Sequence, residues 1–292
     1  MKSGRTHWLI HALFTLYSVA AILPLILIIS ISFSSEASIL RNGYSFIPHE
    51  FSLYAYKYVF GDPEIVLRSY SNTIFATLVG TLTCLVITSA LAYPLSRRSM
   101  PGRKFFTFFV VITILFNGGL VPWYIVMKKY LGFNDNIWAL IVPGLLLNGF
   151  NVLIMRTFFS NTIPEELPEA ANMDGAGEFR IFVQIVIPLS KPVFATIGLF
   201  ATLAYWNDWY NSMIFQVKPD NFSIQYVLQR VLLNIQYLTQ SRSSNASASL
   251  ATIPQETSRM ALAIVAIGPI IFAYPFFQKY IVKGLTIGSI KG

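Results

Sequence analysis

The stretch EELPEAANMDGAGEFRIFVQIVIP, residues 165–188, holds five of the chain's 13 acidic residues: Glu165, Glu166, Glu169, Asp174 and Glu178. Strongly apolar runs flank it on both sides. With 54% hydrophobic and 12% charged residues over 292 positions, the chain lies far from the roughly 25% charged of soluble proteins. It reads as a membrane protein, and the acid-rich stretch as a segment kept out of the bilayer.

Working outward, six runs are long enough to cross a hydrocarbon core, which takes about 20 helical residues. They are 8–33, 72–95, 105–127, 137–159, 193–217 and 261–282. Spanning segments must satisfy their backbone hydrogen bonds internally, and runs of this length do so as helices, since barrel strands alternate over about ten residues. The expectation is an all-α, polytopic protein with six transmembrane helices in a single transmembrane domain. Residues 34–71 and 218–260 form loops on one side, and 160–192 a loop on the other. The first run exceeds the roughly 7–15 apolar residues of a signal peptide and is read as a span.

The short loop SRRSMPGRK carries Arg97, Arg98, Arg103 and Lys104, whereas KKYLGFNDN carries Lys128 and Lys129. The bias toward basic residues in short cytoplasmic loops places the former, residues 160–192 and both termini in the cytoplasm. The formal charge of +8 is then membrane orientation, because no basic stripe interleaves with stacking aromatics as nucleic-acid binding would need. Cys84 sits within an apolar run and is read as a small buried hydrophobe. The histidines are His7, His11 and His49; the first two share a helical face but have no carboxylates nearby, so no metal site is expected. No G-x-x-x-x-G-K-[ST] loop occurs, so the chain does not cradle a nucleotide in that way, and no catalytic constellation is seen.

Within the acid-rich stretch, Thr162 is a candidate cap, Pro164 and Pro168 suit a first helical turn, and Gly175 reads as a stop. A second helix, marked by Ile181, Ile185 and Pro188, ends before the fifth run. Ala170, Ala171, Gly175, Ala176 and Gly177 add little bulk, so another protein's backbone could approach closely. By physics alone the stretch is either a solvated loop or a docking element.

EAANMDGAGEFRIFVQIVIPL resembles the EAA motif of ABC-importer permeases: EAA, three residues, G, nine residues, I, one residue, LP. Glu169, Ala170, Ala171, Gly175 and Pro188 fall in register, with Ile187 where leucine is usual. Residues 118–143 and WNDWYNS at 206–212 resemble the carbohydrate-uptake, maltose-type group. FNGGLVP most resembles permeases for oligosaccharides of acidic polysaccharides such as alginate or pectin. The resemblance implies a maltose-type permease fold, a coupling helix that docks in an ATPase cleft, a second permease, two ATPase subunits and an extracytoplasmic solute-binding protein in a bacterial inner membrane. It also implies ATPase contact by the glycine-rich tail VKGLTIGSIKG, with Thr286, Gly288, Lys291 and Gly292. That tail is not expected to be helical by propensity.

Polar groups inside spans are costly and tend to face protein or water. Asn117, Asn148 and Asn151 fall near mid-span by residue count. They either hydrogen-bond sugar hydroxyls or tie helices together where glycines allow close approach. Tyr205, Trp206, Trp209 and Tyr210 offer faces for sugar rings, with Asn207 and Asp208 as polar partners; an interfacial aromatic belt is the alternative. In the outer segment, Ile224, Val227, Leu228, Val231, Leu232, Ile235 and Leu238 recur at helical spacing. They rest on the bilayer or on neighbouring spans. The Asn-Ala-Ser at 245–247 matches a glycosylation acceptor of little weight. An ion-coupled secondary transporter, the competing class, would need intramembrane ionisable residues and an internal repeat.

Overall fold

Hydropathy finds where the chain is apolar, and caps and glycines decide where it is helical. The computed structural model describes residues 3–242 and 254–288. The helices are α1 (Ser3–Ser32), α2 (Glu36–Asn42), α3 (Tyr54–Val59), α4 (Pro63–Ser96), α5 (Arg103–Leu115), α6 (Leu120–Tyr130, its last turns π-helical), α7 (Gly149–Thr162) and α8 (Glu166–Met173). There follow α9 (Glu178–Leu189, with a π-helical centre), α10 (Lys191–Trp206), α11 (Tyr210–Phe215), α12 (Ile224–Arg242), α13 (Gln255–Ile267) and α14 (Ala273–Gly288). The described residues contain no strand, only an isolated bridge between Ser34 and Phe51. The all-helical expectation holds.

Three helices are long and apolar enough to span: His7–Ser32, Pro63–Ser96 and Gln255–Tyr280. Two further candidates are bent pairs, Arg103–Leu115 with Leu120–Tyr130 at 110°, and Glu178–Leu189 with Lys191–Trp206 at 82°.

Several of the expected runs are therefore not continuous helices. The run 105–127 breaks at Phe116–Gly119, where Gly119 takes φ +87°, in the left-handed region, and Asn117 Oδ1 accepts from Gly119 N at 2.8 Å. The run 137–159 is a short 3₁₀ turn capped by Asn136, then turns through Pro143 and Gly144 (φ +78°), and becomes α-helical only after Asn148. The run 193–217 breaks at Asn207–Trp209. The helix of the second expected span, α4, starts at Pro63 rather than 72, because Asp62 caps it through Ile65 N at 3.2 Å and proline suits a first helical position. Residues 34–62 also hold α2 and α3.

The chain forms two compact units. One takes the described residues up to Val66 and from Val227 to Gly268. In it, α1, α2 and α3 all pack on α13. Glu36 accepts from Glu256 N, Thr257 N and Thr257 Oγ1 at 3.0, 3.0 and 2.8 Å, which satisfies donors left open at the start of α13. The side chains of α1 from Trp8 to Tyr17 stand exposed, as befits a helix whose solvent is hydrocarbon.

The other unit takes Leu67–Tyr226 and the described residues from Pro269. Its core gathers Ala92, Leu95, Val152, Met155, Phe159, Ile181 and Ile197 from α4, α7, α9 and α10. The last carbonyls of α4 receive Arg103 Nε and Arg156 Nε, both on Leu95 O at 3.0 Å, and Ser160 Oγ on Ser96 O at 3.3 Å. Cations at a helix C-terminus match its dipole. This accounts for Arg156, a charge within an apolar run.

Gly80 lets α4 meet α10. A Cβ there would lie 2.4 Å from Tyr205 Cζ, and that ring is fixed by its hydroxyl donating to Ile141 O at 2.9 Å. Gly80→Ala is expected to cost about 1–3 kcal/mol by overpacking, a fall of roughly 2–10 °C in the unfolding midpoint of the purified protein. An unchanged midpoint in a thermal-shift assay would show that the ring swings free.

The predicted outer helix is present as α12. Ile224, Val227, Leu228 and Ile235 of its stripe are buried within the protein, which favours packing on protein over resting on lipid. The tail departs from expectation: α14 continues through Gly288. Extending a formed helix needs no nucleation, so the cost of Gly284 in its interior, about 1 kcal/mol, is tolerated, and Gly288 stands at the end. Lys291, Gly292 and the Asn-Ala-Ser at 245–247 lie outside the described residues.

Candidate functional site

The acid-rich stretch folds as a short helix, a turn and a second helix. Thr162 closes α7 instead of capping α8, whose N-cap is Glu165 without a side-chain bond. Pro164 precedes that cap, and Pro168 is buried in the first turns. The stop is at Gly175, φ +82°. Ala176 N donates to Ala171 O at 2.9 Å and Gly175 N to Asn172 O at 3.0 Å, the paired bonds of a Schellman ending in which glycine takes the left-handed position. No atom lies within 4 Å of where a Cβ would stand on Gly175 or Gly177.

The five acids divide into two groups. Glu165 pairs with Arg98 at 2.8 Å. Glu178 accepts a short hydrogen bond from the Tyr93 hydroxyl, another from Asn172 Nδ2 at 3.4 Å, and faces Arg97 at 3.9 Å. These two fasten the stretch to the end of α4. Glu166, Glu169 and Asp174 are exposed and make no ion pair with any described residue. Met173 at 90% and Phe179 at 80% exposure stand beside them. Ala170 is exposed, while Ala171 and Ala176 pack inward on the core. Pro188 is exposed and lines a groove with Leu85, Lys191 and Phe276. The result is a firmly anchored knob with a free, mixed acidic and apolar tip.

The second site is a cavity of about 590 Å³ lined by Asn117, Gly119, Leu120, Trp123, Pro143, Gly144, Leu145, Asp208, Tyr210 and Asn211. The breaks in the apolar runs build it, since they bring the 116–119 turn, the 143–145 turn and the 208–211 turn together. Asp208 Oδ1 accepts from Tyr210 N and Asn211 N, both at 3.1 Å, and so caps α11. Its buried Oδ2 has no partner among the described residues. Asn211 Nδ2 donates to Pro143 O at 2.9 Å, joining two of the walls. Trp123 lies nearly parallel to Tyr210, ring centroids 6.4 Å apart. Nearby, Asp135 (φ +51°) receives Lys218 N, Asn221 Nδ2 and Val217 N. Those donors hold its carboxyl below the usual carboxylate range.

Of the pathway candidates, Asn117, Asp208 and Tyr210 meet at this cavity, and the others do not line it. Tyr205 and Trp206 are 3% exposed; the first bonds Ile141 O and the second packs on Tyr70. Both are core residues rather than ring-stacking faces. Asn207 donates to Leu203 O. Asn148 caps α7 by accepting from Phe150 N and Asn151 N, and the polar side chain at a break is a cap rather than a mid-span group. Trp209 is half-exposed, edge-on to Tyr210. Thr286 and Gly288 lie on the backbone of α14. Sequence reasoning missed Trp123 and Asn211, although the NGG turn and its following proline signalled the break beside Trp123. It also missed Tyr93 and Arg97 as partners of Glu178.

A family model described as "Binding-protein-dependent transport system inner membrane component" matches residues 99–287. The chain is 37% identical over 292 residues to the polygalacturonan/rhamnogalacturonan transport system permease protein YtcP of Bacillus subtilis (strain 168), covering all of both chains. It is 40% identical to the protein LplC of the same organism, over all of this chain and 97% of the relative. Among solved structures, a chain of a bacterial ABC transporter involved in the import of the acidic polysaccharide alginate superposes with a TM-score of 0.77 at 32% identity, covering 96% of this chain and 98% of that one.

Proposed function

Because the chain belongs to the family of binding-protein-dependent transport system inner membrane components, as a permease of the sugar ABC-importer type and not an enzyme, we propose that it forms half of an oligosaccharide pathway through the bacterial cytoplasmic membrane. The other half is a second, homologous permease. Two ATPase subunits bind ATP and Mg and dock on residues 165–188, and an extracytoplasmic solute-binding protein delivers the sugar. Six crossings with both termini in the cytoplasm fit the basic loop at 97–104, because Arg97 and Arg98 hold Glu178 and Glu165 and so put that loop and the docking stretch on one side. The three unbroken helices and the two bent pairs supply five of these crossings, and α7 with the turns that precede it is counted as the sixth.

The observation that carries the reading is the anchored knob: Glu178 bound to Tyr93 of α4, Glu165 to Arg98 just past its end, and a Schellman turn that presents Glu169, Met173 and Asp174 outward. The relatives suggest an oligosaccharide of an acidic polysaccharide as cargo. The cavity wall has a carboxylate, two carboxamides and two aromatic rings but no lysine or arginine. It therefore suits hydroxyl and C–H faces, and uronate charges are met elsewhere in the assembly.

Co-expression of the neighbouring transporter subunits with a tagged copy of this chain is expected to yield a stable complex with an ATPase and a second permease, whose vesicles take up tri-galacturonate only with ATP. Ion-driven uptake by the isolated chain would overturn the proposal.

A further inference from the structure

The elements flanking the docking stretch are poor transmitters of movement. Helix α9 meets α10 at a bend of 82°, and α7 has 14 residues and starts from a loop at Asn148. Helix α4 is different: its 34 residues run without a break, about 50 Å at 1.5 Å per residue.

Both ends of α4 are held by side chains. At one end Tyr93 bonds Glu178, and Arg97 and Arg98 face Glu178 and Glu165. Some 20 residues away, Asn72 Nδ2 donates to Asp220 O at 2.7 Å and Phe222 O at 3.2 Å, Arg68 pairs with Asp220 at 2.7 Å, and Thr73 Oγ1 accepts from Ile224 N at 2.8 Å. The segment they grip reaches the cavity directly. Ser223 Oγ donates to Asp208 O at 2.9 Å, and Ser223 N to Ser212 Oγ at 3.0 Å. Between the ends, Gly80 seats Tyr205 and Thr81 meets Thr202 at 3.3 Å, so the helix moves with the core it passes through.

We propose that α4 is the rod that carries displacement of the docking stretch to the cavity wall, with Tyr93 and Asn72 as the positioning residues that couple its two ends. A movement imposed on Glu178 and Glu165 shifts α4 along its length, and Asn72 passes the shift through residues 220–223 to Asp208 and α11. The inference rests on residues 165–188 being the ATPase-docking stretch.

The test uses the whole importer in proteoliposomes, with Cys84→Ala as background. A nitroxide on a cysteine replacing Lys218, in the segment between α11 and α12, is expected to change its spectrum on adding ATP and the solute-binding protein. Tyr93→Phe, which removes one hydroxyl, should erase at least four-fifths of that change while the complex still hydrolyses ATP. Asn72→Ala, remote from the ATPase, should lower tri-galacturonate uptake per ATP hydrolysed at least fivefold. The double variant should be no worse than the poorer single one, since both act on one route. A local structural defect at either end would not give that pattern. A full spectral response in Tyr93→Phe, wild-type uptake per ATP in Asn72→Ala, or multiplicative losses in the double variant would each overturn the proposal. Should Tyr93→Phe not assemble, the Asn72→Ala ratio decides by itself. If Gly175→Leu uncouples the complex while these variants behave as wild type, α4 is not the rod and the docking assignment stands; if Gly175→Leu is also silent, the docking assignment itself has failed.

Discussion

Gly175→Leu is expected to lower uptake at least tenfold and to abolish substrate-stimulated ATP hydrolysis, with the chain still inserted. The position has φ +82°, which costs a non-glycine residue about 1–2 kcal/mol, and it ends α8 through the Schellman pair at Ala171 and Asn172. No atom lies within 4 Å of the added Cβ. The damage is therefore not a clash within this chain: it is the re-aimed turn, together with a leucyl group pointing from the surface proposed to dock on the ATPase. Asparagine accepts the left-handed region more readily than other non-glycine residues, so Gly175→Asn should be markedly milder. Glu169→Lys, on the free tip, should weaken docking by charge reversal, whereas Glu165→Gln removes an anchor. Uptake and hydrolysis in reconstituted complexes, with assembly checked by co-purification, give the answer. If both Gly175→Leu and Glu169→Lys transport and hydrolyse as wild type, residues 165–188 are not the coupling element.

This stretch was legible because its signals are local. A glycine after an alanine pair, acids at a helix start and a proline before the next apolar run lie within 24 residues, and each constrains the backbone near itself. The spans were less legible for a physical reason. Hydropathy averages over a window, so Pro143, Gly144 and Asn148 disappear into an apolar run although each marks a turn or cap, and Asn117 falls at mid-span by residue count although it caps its own turn. Contacts between distant positions left no trace at all. Tyr93 and Glu178 are 85 residues apart, and nothing in either neighbourhood announces the other. Likewise, an aromatic cluster such as Tyr205, Trp206, Trp209 and Tyr210 cannot reveal from one sequence which ring faces a cavity and which faces the core.

That division predicts opposite failures for changes only a few residues apart. Trp206, 3% exposed and packed on Tyr70, should behave as a core residue: Trp206→Ala is expected to cost about 3–5 kcal/mol and to reduce the amount of assembled complex. Asn117→Ala and Asp208→Asn should assemble normally and transport poorly. Asparagine at 208 keeps an oxygen for Tyr210 N and Asn211 N, so the cap on α11 survives while the charge is removed. Asn117→Ala gives up one local hydrogen bond, from Gly119 N, at an exposed turn beside the cavity. A hydrogen bond to a charged group contributes about 1.5–3 kcal/mol. If Asp208 meets a sugar hydroxyl in the slow step, uptake should fall roughly ten- to hundredfold, and somewhat less for the neutral Asn117. The quantities to compare are complex recovered by affinity purification and initial uptake per complex. Low recovery with normal specific uptake for Trp206→Ala, against normal recovery with low specific uptake for the other two, places the pathway at the broken-helix cavity. Wild-type specific uptake in both Asn117→Ala and Asp208→Asn would remove this cavity from the pathway, and the sugar would then have to cross along surfaces supplied by the second permease.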